Sequence, residues 1–92
     1  MLEENVAVMQ DRMLIVNTRP LGYEIYLDPV TDRELVFHHG YLTEARTISV
    51  NRTRRAVEFA LQGKPGFCVE YVSNEDYEAF NKAFNDKAHK DL

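Results

Sequence analysis

Tyr23-Glu24-Ile25-Tyr26-Leu27-Asp28-Pro29-Val30-Thr31-Asp32-Arg33-Glu34-Leu35-Val36-Phe37-His38-His39-Gly40 is the stretch that decides the fold. From Tyr23 to Asp28 the side chains alternate, with Tyr23, Ile25 and Leu27 on one face and Glu24, Tyr26 and Asp28 on the other, as in a half-buried strand. Asp28 to Asp32 supplies turn-forming Asp, Pro and Thr. Arg33 to His39 then reads as a second strand with Leu35 and Phe37 on one face, and Gly40 closes it. The spacing predicts a β-hairpin over about 23–39, and hence an antiparallel sheet.

Outward from the hairpin, Met13-Leu14-Ile15-Val16 is an apolar run suited to a strand covered on both faces, over about 12–18, stopped by Pro20 and Gly22. Leu2, Val6 and Met9 recur at helical spacing and predict a helix over about 2–10. Residues 41–50 carry no clear period and read as a loop, with a short strand at Thr47-Ile48-Ser49-Val50 as an option. Ala56, Val57, Ala60 and Leu61 form one side of a helix over about 52–62, with Ser49 or Asn51 as N-cap and Gly63 and Pro65 ending it. Phe67 to Val72 alternates as a strand. Ser73 to Asp76 has the shape of a capping box, opening a helix over about 74–88 striped by Tyr77, Phe80, Ala83, Phe84 and Ala88. The sum is a single α+β domain over 1–92, a two-layer arrangement of a mainly antiparallel sheet packed by helices.

Composition narrows the class. Ninety-two residues fit one domain, and the single cysteine, Cys68, excludes an intramolecular disulfide framework. The acidic start Met1-Leu2-Glu3-Glu4 lacks the basic and apolar regions of a signal peptide, and no apolar run is long enough to span a bilayer, so the expected location is cytoplasmic. A net charge of −4 repels phosphate backbones and makes non-specific nucleic-acid binding an unfavourable reading. A helix, three strands and a helix in order is reminiscent of double-stranded-RNA-binding domains, but their lysine-rich helix start is missing, the charge is net acidic, and a further strand and helix follow.

Catalytic and cofactor signatures are absent from the pattern. No Gly-rich loop follows a strand, and no nucleophile elbow occurs. His38 and His39 are neighbours in a strand and point to opposite faces, so they cannot share a metal ion. Neither a cofactor nor a metal site is expected. One anomaly remains. Arg52, Arg54 and Arg55 crowd a helix start, where the dipole favours negative charge. With the capping oxygens of Ser49, Asn51 and Thr53 and the free N–H groups of that end, they form a candidate site for a phosphate, a carboxylate or a partner. The alternative is that they pair with carboxylates, Arg54 with Glu58 for example. A second candidate is an interface formed by Tyr26, His38, His39 and Tyr41 around the hairpin.

These features lead first to a non-enzymatic protein-interaction module, an inhibitor or regulator of a larger intracellular complex. Small acidic accessory proteins of phages and mobile elements often take this form. The alternatives are an oligomeric protein that binds a small anion or nucleotide through the arginine-bearing helix start, and a nucleic-acid-associated accessory factor.

Overall fold

A computed structural model describes residues 12–90, so the helix expected over 2–10 lies outside the described residues. The chain runs β1 (Arg12–Arg19), a 3-10 turn (Pro20–Gly22), β2 (Tyr23–Asp28), β3 (Arg33–His38), β4 (Tyr41–Thr47), α1 (Val50–Leu61), β5 (Phe67–Val72) and α2 (Asn74–Lys90). The strands form one antiparallel sheet in the order β4-β3-β2-β1-β5. The α+β class, the hairpin and the two capped helices are as the sequence predicts. Ser49 caps α1 by accepting a hydrogen bond from Arg52 N, and Ser73 caps α2 by accepting one from Asp76 N, both at 3.1 Å.

The layering differs from the two layers expected. The registers Ile15↔Leu27, Leu27↔Glu34, Glu34↔Arg46 and Ile15↔Val69 place these residues on one face. On the other face lie Leu14, Tyr26, Leu35 and Ala45. α2 packs Phe80 and Phe84 onto Leu14 and Leu35 there, flanked by Tyr26, Phe37, Leu42 and Val72. α1 covers the first face, over Ile15, Ile25 and Leu27. The result is helix, sheet, helix. The cause is the hairpin register: the Asp28–Arg33 pair closes a turn that sets Leu27 opposite Glu34, so Ile25 and Leu27 point one way and Leu35 and Phe37 the other. Each face then has apolar surface to bury, at about 25 cal/mol per Å2, and each recruits a helix. α1 carries the chain from β4 at one edge across to β5 at the other.

β4 corrects the loop expected at 41–50, and the optional strand at Thr47–Val50 is instead the end of β4, the cap and the start of α1. A β-bulge opposite Val36 and Phe37 inserts Thr43, so Leu42 and Ala45, three apart, both face α2. The extra residue breaks the period of two that a strand otherwise displays. Thr43 Oγ1 donates to Val36 O at 3.0 Å, occupying a carbonyl beside the bulge.

Asp28 ties the hairpin to α2. Its carboxylate, fully buried rather than solvated at the turn, accepts from Val30 N (3.0 Å), Thr31 Oγ1 (2.7 Å) and Tyr77 OH (2.5 Å), with Arg33 Nη2 at 3.7 Å. Arg33 also donates to Asn81 Oδ1 and lies over the Phe84 ring. A buried carboxylate survives only when paired and hydrogen-bonded, and here it has both. Burial, with the adjacent Asp28, pushes the Tyr77 hydroxyl above its usual pKa of 10.0.

Candidate functional site: an arginine-lined pocket beneath the first helix

The anomalous arginines lie along one helix and the structure separates them. On α1, positions 52, 55, 56 and 59 share a face at the i, i+3, i+4, i+7 spacing. Arg52, Arg55, Ala56 and Phe59 of this face meet the sheet at a cavity of about 250 Å3. Ile15, Ile25 and Leu27 line it from the sheet, with Phe67 from β5 and Asn17 and Arg19 from the end of β1. Phe59 and Phe67 meet edge to face, with centroids 5.3 Å apart, and fix the aromatic wall. Arg54 and Asn51, exposed, do not line the cavity.

The charge in the pocket is uneven. Glu34 stands on the same face as Leu27 and is almost wholly buried. Its Oε1 is 3.2 Å from Arg46 Nη2, and its Oε2 is 3.7 Å from Arg52 Nη2. The first contact is close but not aligned as a hydrogen bond. Glu34 thus holds two guanidinium groups by charge. Among the described residues Arg19 and Arg55 have no ion-pair partner. Three arginines and one carboxylate therefore line the cavity, an excess of positive charge above an apolar floor. Such a site suits an anion with an apolar body, its charged end held by guanidinium forks.

The remaining candidates fall elsewhere. Ser49 is spent on capping. Thr53 is buried, and its hydroxyl has no hydrogen-bond partner among the described residues. No Arg54–Glu58 ion pair forms among the described residues. Tyr26 belongs to the core on the α2 side, edge to face with Phe37 at 5.4 Å, so it is not an exposed interface residue. His38 stacks on Tyr23 at 4.1 Å and contacts Leu21 O through Nε2 at 3.0 Å. Across the sheet, Arg19, Tyr23, His38 and Tyr41 are successive partners on the α1 side, with Tyr41 78% exposed at the edge. His39 has a positive φ of 50° at the β3–β4 turn.

Sequence reasoning missed Arg19, Glu34 and Arg46. Glu34 carried a readable signal, since it alternates with Val36 and His38 and falls in register with Leu27. Among the described residues no group of three His, Cys, Asp or Glu side chains comes together to hold a metal ion, and no helix is long and apolar enough to cross a membrane. Comparison with protein-family models, curated proteins and solved structures finds no match for the chain.

Proposed function

We propose that this protein is a non-enzymatic binding protein for a small organic anion, held between α1 and the sheet. The observation that carries the reading is the cavity itself, lined by Arg19, Arg52 and Arg55 together with the apolar Ile15, Ile25 and Leu27. Its volume of about 250 Å3 lies just below the roughly 300–1,000 Å3 of sites for drug-sized ligands. That size favours a ligand of one ring or a short alkyl chain bearing a carboxylate or phosphate. Of the two forms of the anion-binding expectation, the smaller ligand has the better support.

The test is a thermal-shift panel of benzoate, hexanoate, phenyl phosphate, inorganic phosphate and toluene. Ligands that combine charge and apolar body should raise the melting temperature, by the equivalent of about 2.7 kcal/mol at a hundredfold excess over Kd. Phosphate alone and toluene alone should do little. A panel without any shift overturns the reading.

The protein-interaction module, with its inhibitory or regulatory role, is the second reading. It draws on the exposed Tyr41 at the end of the Arg19, Tyr23, His38, Tyr41 row, since exposed tyrosine is favoured at interfaces. Capture by a partner that is lost on Tyr41→Ala and Tyr23→Ala, but kept on Arg55→Glu, would favour it over the pocket.

A further inference from the structure

The three arginines of the cavity do not rise from one place. Arg52 and Arg55 come from α1, one turn apart, and the Arg52 guanidinium is held 3.7 Å from Glu34 of β3. Arg19 is the last residue of β1. In the sheet registers Glu34 faces Leu27, Ile25 faces Asn17, and Arg19 lies two residues beyond Asn17 on the same face. The diagonal from Glu34 to Arg19 therefore crosses two strand spacings and four residues, with Ile25 at its midpoint. At about 4.8 Å per strand and 3.4 Å per residue it spans about 17 Å between Cα atoms. Strand side chains stand roughly perpendicular to the sheet, so Glu34, with the Arg52 it holds, and Arg19 rise from opposite ends of the apolar floor.

The charges around that floor do not balance. Three guanidinium groups against one carboxylate leave two positive charges over, and Glu34 is shared with Arg46 besides. A ligand with a single carboxylate offsets one of the two. Arg52 and Arg55 suffice to hold it, which leaves Arg19 without an ion pair among the described residues. Asn17, at the same end of the cavity, has no side-chain hydrogen-bond partner among the described residues either. One guanidinium fork and one amide donor match a planar, singly charged carboxylate.

Resting on the small-anion reading above, we infer that the ligand of this cavity is a dicarboxylate. Its first carboxylate lies at Arg52 and Arg55, its second at Arg19 and Asn17, and its short alkyl or single-ring body crosses Ile25. The two carboxylates have to stand at opposite ends of the body, because neighbouring ones would both fall at one end of the floor. A dianion so arranged offsets both surplus charges. Arg19 then determines specificity: the helix arginines attract an anion, and the sheet arginine selects the one that carries a second charge at the right distance.

Calorimetric titration with ligands that differ by one carboxylate, or only in its position, tests the inference. The ligands are benzoate, phthalate and terephthalate, with hexanoate and adipate as a flexible pair. Terephthalate over benzoate, or adipate over hexanoate, should bind about tenfold tighter, as one added charge-assisted hydrogen bond at a part-exposed site provides. Phthalate has the charge of terephthalate with its carboxylates adjacent, and should gain little over benzoate. Arg19→Gln, at an exposed position, should erase the preference for the dicarboxylate, whereas Arg54→Gln, outside the cavity, should keep it. If none of the five ligands binds, the small-anion reading falls and the inference with it. If benzoate or hexanoate binds but neither dicarboxylate of the two pairs gains, the inference alone is overturned. A gain for phthalate equal to that for terephthalate, or a preference that survives Arg19→Gln, overturns it in the same way.

Discussion

Glu34→Gln separates the two roles of the buried carboxylate, holding arginines and opposing anions. An anion engaged by Arg52 has the guanidinium between it and Glu34, 3.7 Å from Arg52 on the far side, so the two negative charges lie about 7 Å apart. At an effective dielectric constant of about 20 their repulsion is about 2.4 kcal/mol. Screening at physiological ionic strength, with a Debye length of about 8 Å, reduces this to about 1 kcal/mol. Neutralising Glu34 should therefore tighten benzoate binding by about five-fold in salt, and by more at low ionic strength. Stability moves the other way. Removing the shared counter-charge leaves Arg52 unpaired and Arg46 with Glu44 alone, at 4.0 Å, and because both arginines are part-exposed the loss should fall below the roughly 3–5 kcal/mol of a fully buried pair, at about 1–2 kcal/mol. Isothermal titration of benzoate at two salt concentrations, with thermal melts of both proteins, reads both effects. Unchanged or weaker affinity in the variant would refute the idea that Glu34 is felt at the anion site.

Other expectations are independent of the ligand. Thr53→Val removes a buried hydroxyl that has no partner among the described residues and should stabilise by about 1–2 kcal/mol, raising the melting temperature by about 4–8 °C per kcal/mol. Gly66→Ala meets both a φ of +85° and a Cβ placed 2.8 Å from Thr18 O, and a thermal melt should show a loss of at least about 2 kcal/mol. Tyr77→Phe deletes a hydrogen bond to a buried carboxylate and should cost about 1.5–3 kcal/mol by denaturant titration at neutral pH. The same tyrosine shapes alkaline stability. Burial and Asp28 raise its pKa above 10.0 in the folded state, so its contribution is complete below pH 10 and is lost as pH rises through the raised value. Tyr26, raised chiefly by burial, acts in the same direction. Tyr77→Phe should therefore lose less stability than the wild type between pH 9 and 12.

The sequence was most legible where one periodicity governs. The Tyr23–Asp28 strand, the Phe67–Val72 strand and the capped helix from Asn74 all announce themselves, because alternation, turn residues and caps are local physics. β4 was illegible for an equally local reason: Thr43 shifts Ala45 into the phase of Leu42, and a strand with a bulge has no single period. The third layer was hidden at longer range, since only the hairpin register shows that Leu27 and Leu35 point to opposite faces. At the candidate site, the oddity of Arg52, Arg54 and Arg55 was visible, whereas their sorting was not. Helical phase alone groups Arg52 with Arg55, but Arg19 and Glu34 join them only through strand pairing. The burial of Asp28 was hidden as well, because a turn aspartate is ordinarily solvated and the tyrosine that bonds it comes 49 residues later.

The sorting of those arginines provides the most direct test of the pocket. Arg54→Glu and Arg55→Glu alter net charge equally and lie side by side in sequence, yet only Arg55 lines the cavity. Calorimetric titration of benzoate should show binding abolished by Arg55→Glu and nearly unchanged by Arg54→Glu, with both variants as stable as the wild type. Equal loss in the two variants would mean that anions respond to the general charge of the helix end, and equal retention would mean that they bind elsewhere; either result contradicts a pocket between α1 and the sheet.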